Sequence, residues 1–203
     1  MTEPGAVFII DDDEAVRDSL SWLVKSAGLS AQTFDSADAF LSGYDGDKPG
    51  CLILDIRMPG MNGLELQSVL SERGFRLPII IISGHADVPM AVRALKAGAF
   101  DFIEKPFNDE LLLDLVQRAL EQDALQRESM AETDELRARI ASLTPREKEV
   151  LDLVVAGAAN KQISSELGVS LKTVEAHRAR VMDKLQAESL SHLVRMALAV
   201  DNK

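Results

Sequence analysis

Residues 51–63, CLILDIRMPGMNG, carry the stretch on which the fold turns. Four apolar residues, Cys51 to Leu54, read as a strand buried on both faces, yet the strand ends on a carboxylate, Asp55. An Arg-Met-Pro-Gly turn follows, then a fresh helix start in which Asn62 and Glu65 have the spacing of a capping box. A charge at the rim of a hydrophobic sheet is costly unless something meets it there.

Working outward, similar short aliphatic runs recur at Ala6–Ile10, Ala31–Phe34, Pro78–Ile82 and Phe100–Ile103. Segments with helical spacing separate them: Asp13–Ala27, Asn62–Leu70, Ala86–Ala97 and Asn108–Leu120, the last capped by Asn108. Strands alternating with helices of this length predict an α/β domain, a parallel sheet covered on both faces. The continuous apolarity of the strands agrees. In such a sheet all carboxyl ends lie on one edge, where these folds bind ligands. The first strand ends in Asp11, Asp12 and Asp13, the third in Asp55, and the fourth in Ser83; Lys105 and Pro106 follow the fifth. Chain ends of strands are often polar, which accounts for any one of these residues but poorly for the set. Two carboxylates ~4 Å apart repel by roughly 4 kcal/mol at an effective dielectric of ~20. Lys105 supplies one compensating charge, and a hard divalent ion such as Mg²⁺, held by carboxylates and water, would supply the rest. Asp13 is expected to cap the first helix, His85 to be a loop residue, and Cys51 to be packing.

The chain has 203 residues and a net charge of −11. That length fits one large domain or two small ones. Its apolar runs are too short to span a membrane, which takes roughly 20 residues. No basic stretch precedes the apolar segment of MTEPGAVFII, so no secretory signal is expected. One cysteine allows no disulfide within the chain and suits a reducing cytoplasm. The charge is uneven. From Leu143 to Lys203 there are 9 Lys or Arg against 8 Asp or Glu; Met1 to Ser142 carries 13 against 25. The acidic part is a poor partner for phosphate backbones, and the C-terminal part is permissive.

Between them, residues 121–142 lack Gly and Pro, are charged, and are rich in helix formers, which predicts a solvated helical spacer. Beyond it, Thr144, Pro145 and Glu147 form a helix start with a capping box, and Gly157 is its stop. Asn160 is expected to cap a shorter helix; Gly168, Val169 and Ser170 turn the chain into a longer one, Leu171 to about Leu185. Ser189 opens a last helix. Helix, short turn with Gly, helix is the helix-turn-helix arrangement. Val174, Val181 and Leu185 define the inward stripe of the third helix. Small residues at Ala176 and Ala179 permit close approach to a groove. Lys172, Arg178 and Arg180 can reach phosphates or guanine edges, and Glu175 can accept from cytosine.

The pieces FIIDDDEAVR, LILDIRMPGMNGLEL, PIIIISGHAD and KAGAFDFIEKPF resemble the receiver domain of two-component response regulators. Residues 143–186, LTPREKEV through HRARVMDKLQ, resemble the LuxR-type DNA-binding domain, so the whole is similar to the FixJ/NarL class. GHADVPMAVRALKAGAFDFIEKPF and SLSHLVRMALA look closest to the FixJ branch. The resemblance implies a flavodoxin-like five-stranded receiver domain over residues 1–121, a helical linker over 122–142, and a four-helix DNA-binding domain over 143–203. It implies that Asp55 accepts a phosphoryl group from a sensor histidine kinase, with Ser83 and Lys105 on the phosphoryl oxygens. Mg²⁺ would be held by Asp11, Asp12, Asp55 and the carbonyl of Arg57. Ser83 and Phe102 would be the switch pair, and Lys105-Pro106 a cis peptide. DNA contacts would come from Lys172, Thr173, Glu175, Ala176, Arg178, Ala179 and Arg180. The expected partners are the kinase, double-stranded promoter DNA with an inverted repeat, RNA polymerase, and a second copy of the chain on phosphorylation. No membrane partner is expected. Two other functions stay open: an aspartyl-phosphate phosphohydrolase, disfavoured because Arg57 stands where such enzymes carry a second Asp, and a protein-interaction adaptor.

Overall fold

The computed structural model describes residues 5–84 and 88–201. His85 and the first residues of the predicted Ala86–Ala97 helix lie outside them. The chain divides into two compact units at Arg127/Glu128.

The first unit holds β1 (Ala6–Ile10), α1 (Glu14–Ser26), β2 (Ser30–Phe34), α2 (Ala37–Gly43), β3 (Gly50–Asp55), α3 (Gly63–Glu72), β4 (Ile79–Ser83), α4 (Val88–Lys96), β5 (Asp101–Glu104) and the beginning of α5 (Asp109–Ala141). The strands form one sheet in the order β2-β1-β3-β4-β5, every pair parallel. This is the expected doubly wound α/β fold. Strand period does the sorting. Phe8, Ile10, Leu52, Leu54 and Ile81 pack with residues of α2, α3 and α4, including Phe40, Leu66, Leu70 and Ala94. Val7, Ile9, Ile53, Ile80 and Ile82 pack with Leu20 and Val24 of α1 and Leu112 and Val116 of α5. Cys51 belongs to that second face, and burial pushes its thiol up to about 12, so packing is its role.

Several expectations change. β2, expected as an aliphatic strand over Ala31–Phe34, is present but is an edge strand (SAQTF) with no buried residue. α2 was not anticipated: Ser36 caps it by accepting from the Ala39 N–H, and Phe40 is its anchor. The first turns after Leu120 are not simply solvated. Asp123 is buried, accepts from the Gly50 N–H at 2.9 Å and pairs with Arg127 at 2.8 Å. Arg127 in turn donates to the carbonyls of Asp47 and Lys48, fixing the loop that enters β3.

The second unit contains the end of α5, α6 (Pro145–Val155), α7 (Asn160–Leu167), α8 (Leu171–Leu185) and α9 (Leu190–Asp201). Val150, Leu151, Ile163, Val174, Val181, Leu185 and Leu193 form its core, with Leu136 and Ile140 of α5 against it. The Thr144–Glu147 capping box is present as expected, with Pro145 in the first turn. Gly168 takes φ +66° at the turn between α7 and α8, a left-handed conformation that suits glycine. The cap of α7 is not Asn160, as expected, but Ala159, whose N–H is satisfied by the Gln162 side chain. Asn160 is already helical, which frees its amide for another partner.

Candidate functional site

At the carboxyl edge of the sheet, β1 delivers Asp11, β3 delivers Asp55, β4 ends on Ser83, and Lys105 follows β5. Asp11, Asp55 and Ser83 are all buried. Lys105 Nζ lies 2.7 Å from Asp11 Oδ2 and 2.8 Å from Asp55 Oδ1, bridging two carboxylates that come from strands 44 residues apart. The other oxygens are also engaged: Asp11 Oδ1 accepts from the Asp13 N–H at 3.0 Å and Asp55 Oδ2 from the Arg57 N–H at 2.6 Å. Asp13 caps α1 through the Ala15 N–H, as expected. The Lys105 N–H donates to the Ser83 carbonyl at 2.8 Å, tying the fifth strand's exit to the fourth. The Lys105-Pro106 peptide is cis.

The loop after Asp55 is held tightly. The Gly63 N–H donates to the Ile56 carbonyl, and a Cβ on Gly63 would lie 2.4 Å from the Asp55 carbonyl oxygen, so only glycine fits where α3 begins against β3. Arg17 of α1, which the sequence did not single out, donates to the Asp11 carbonyl at 2.8 Å. No spacing rule flags such a residue, because a helix side chain reaching a backbone carbonyl leaves no pattern.

Asp12 is exposed and shares a cleft with Ile56, Arg57, Met58 and Asn62. It does not join the Lys105 bridge. Among the described residues no three carboxylates, histidines or cysteines gather into a ready-made metal cage. The donor set nevertheless suits a hard cation: three carboxylates against one ammonium leave two net negative charges, and all the donors are oxygen. Burial pushes the Asp55 carboxyl above its ordinary value, with the neighbouring Asp11 adding to the rise; the Lys105 and Arg57 hydrogen bonds only partly offset this. Burial works against the Lys105 charge, but the hydrogen bonds to Asp11 and Asp55 outweigh it and hold its pKa above the ordinary value. Phe102 is half-buried in β5 and packs against the Phe8–Leu66 side of the core.

In the second unit, Lys172, Glu175, Ala176, Ala179 and Arg180 are exposed on α8. Thr173 is partly covered; its hydroxyl lies 2.8 Å from that of Ser170, the residue that caps α8. Arg178 is also half-buried and donates to Asn160 Oδ1 of α7. The predicted contacts are therefore not equivalent: five point outward, and two are engaged within the domain.

Residues 7–117 match the family described as response regulator receiver domain, and residues 141–197 match bacterial regulatory proteins, luxR family. The chain is 46% identical over 198 residues to the transcriptional regulatory protein FixJ of Bradyrhizobium diazoefficiens, covering 98% of this chain and 97% of that protein. It is 47% identical to the response regulator protein TodT of Pseudomonas putida, over 95% of this chain and 85% of that one. A solved structure of the response regulator StyR superposes with a TM-score of 0.86 at 44% identity, covering 97% of this chain and 99% of that one.

Proposed function

The chain belongs to the two-component response regulators that join a receiver domain to a LuxR-type DNA-binding domain, and we propose from this that Asp55 is where the phosphoryl signal enters. It is a transcription regulator. The observation that carries the assignment to Asp55 is the Lys105 bridge, which sets a buried carboxylate beside a cation at the ligand-binding edge of the sheet.

In the transfer step, an Asp55 carboxylate oxygen attacks the phosphorus of a kinase phosphohistidine. A P–O bond forms, the P–N bond breaks, and the imidazole leaves with a proton. Asp11, Asp12, Asp55 and the Arg57 carbonyl would hold Mg²⁺, which supplies charge neutralisation on the phosphoryl oxygens when bound. Lys105 is already close enough to turn from the Asp55 oxygen to the phosphoryl group that replaces its charge. Ser83, buried at the end of β4, donates its hydroxyl to the same group, and Phe102 repacks as Ser83 moves. Autodephosphorylation is slow, and the chain acts as a switch rather than as a hydrolase. Among the described residues no helix is long and apolar enough to cross a membrane. The partners that the family assignment implies, a sensor kinase and promoter DNA, place its work in the cytoplasm.

The outward residues of α8 read the major groove. Phosphorylation promotes association of two copies, placing two α8 helices about 34–36 Å apart on an inverted repeat and presenting RNA polymerase with a bound dimer. The three proposed segments are residues 1–121, 122–142 and 143–203. Incubation with a small acyl phosphate donor and Mg²⁺, followed by peptide mass mapping, should place the phosphoryl group on the peptide containing Asp55. Phosphoryl incorporation elsewhere, or undiminished incorporation by Asp55→Asn, would refute the assignment.

A further inference from the structure

Three of the cations on α8, Lys172, Arg178 and Arg180, are candidates for DNA contact, and they are not alike. Lys172 and Arg180 are exposed, whereas Arg178 is half-buried and its Nη1 donates to the Asn160 side chain across the two helices of the motif. Helical geometry explains why. At 3.6 residues per turn, Arg178 lies roughly 40° around the helix from Val174, on the same side as buried Val181 and Leu185. Lys172, Ala176 and Ala179 lie on the opposite arc. The root of the Arg178 side chain therefore starts beside the core, not above the groove-facing surface.

Asn160 is available because α7 is capped without it. Ala159 precedes the helix and the Gln162 amide oxygen accepts its N–H at 2.8 Å, so the Asn160 oxygen has no capping duty on its own helix. That oxygen accepts from Arg178 Nη1 instead. We infer that Arg178 is a positioning residue: it fixes α8 against α7, and base choice falls to Lys172, Glu175, Ala176, Ala179 and Arg180. This rests on the reading of α8 as the DNA-recognition helix and divides its cations by role.

The test uses the full-length, phosphorylated protein and a duplex that the protein itself has selected from a random-sequence pool. Arg178→Ala should weaken binding on the order of tenfold for the selected duplex and for every single-base variant of it, so the base-preference profile keeps its shape. The slope of affinity against salt should not change, because no phosphate contact is lost; a direct phosphate contact would lower that slope by about one. Asn160→Ala should produce a similar loss. The double variant should be no weaker than either single variant, since both remove one interaction. Arg178→Lys, which keeps a donor and the charge, should recover part of the affinity and guards against a simple folding defect. The DNA-free protein should show the same non-additivity in melting temperature. A changed preference at one base pair, a reduced salt slope, or additive losses would overturn the inference. Glu175→Gln is the control for the underlying reading. If it and Lys172→Ala leave the base-preference profile unchanged, α8 does not read bases. The Asn160–Arg178 coupling in the DNA-free protein is then judged separately.

Discussion

Two lysines in this molecule each meet a buried carboxylate, and they have opposite consequences. In the second unit Lys184 Nζ lies 2.7 Å from Glu147 Oε2, and the Thr144 N–H donates to the same oxygen at 2.9 Å. Lys184, with that backbone hydrogen bond, holds the Glu147 carboxyl down at about 2. At the sheet edge Lys105 is shared between Asp11 and Asp55, and the Asp55 carboxyl is held above its ordinary value. At Asp55 burial dominates, the shared lysine offsets it only in part and Asp11 adds to the rise; at Glu147 the hydrogen bonds outweigh burial. One cation serving one acid makes a structural tie, whereas one cation serving two acids leaves uncompensated charge at a ligand-binding edge. A divalent cation would offset that excess negative charge and so let Asp55 take on the further negative charge of a phosphoryl group.

The comparison can be broken by substitution. The largest effect is expected from Lys105→Met, which leaves Asp11 and Asp55 buried without their shared cation. A loss of about 2–4 kcal/mol in receiver stability, measured by denaturant unfolding in metal-free buffer, should follow, with partial recovery in millimolar Mg²⁺. An unchanged midpoint would show that the bridge carries no charge compensation.

Glu147→Gln should lower the melting temperature of the helical unit at pH 7. The sign follows from linkage: a carboxyl depressed from 4.5 to about 2 stabilises above pH 4.5, and that contribution disappears as pH falls to about 2. Wild type and variant should therefore converge across that window in a pH series of thermal melts. Parallel curves would show that Glu147 does not titrate with folding. Thr144→Ala removes only the side-chain half of the capping box, so it should cost about 1 kcal/mol, less than Glu147→Gln, and show no such convergence.

Smallest, and opposite in sign, is Asp55→Asn in metal-free buffer at pH 7. Replacing a buried acid whose pKa is raised with a neutral isostere should raise the receiver melting temperature by a few degrees. A decrease would show that Lys105 compensates both acids fully and that the two lysine sites are alike.

How much of this was legible in the sequence follows from the same physics. Asp11, Asp55, Ser83 and Lys105 could be placed together because parallel strands put their carboxyl ends on one edge whatever the loops do. Asp12 could not be distinguished from Asp11 on that ground; only the structure shows that the first is exposed and the second enclosed. β2 was found as a strand, but its place at the sheet edge was not legible, because an edge strand and a buried one look alike in a five-residue window. α2 was missed because seven residues with one strong anchor give no period to detect. The Asp123–Arg127 clamp joins residues more than 70 positions apart to the Gly46–Gly50 loop, and no local pattern foretells it. On α8 the face was legible but the duty of each cation was not, because it depends on which side chain of α7 is left without work.

If Asp55 is the phosphoacceptor and α8 the reading helix, the charge state at Asp55 governs DNA binding by α8. The direct test is equilibrium affinity for a selected duplex, measured for wild type and Asp55→Asn with and without a small acyl phosphate donor and Mg²⁺. The donor should tighten wild-type binding by at least about tenfold, some 1.4 kcal/mol, and leave the variant unchanged. An equal response of both proteins, or none from the wild type after Asp55 has been shown to carry the phosphoryl group, would contradict it.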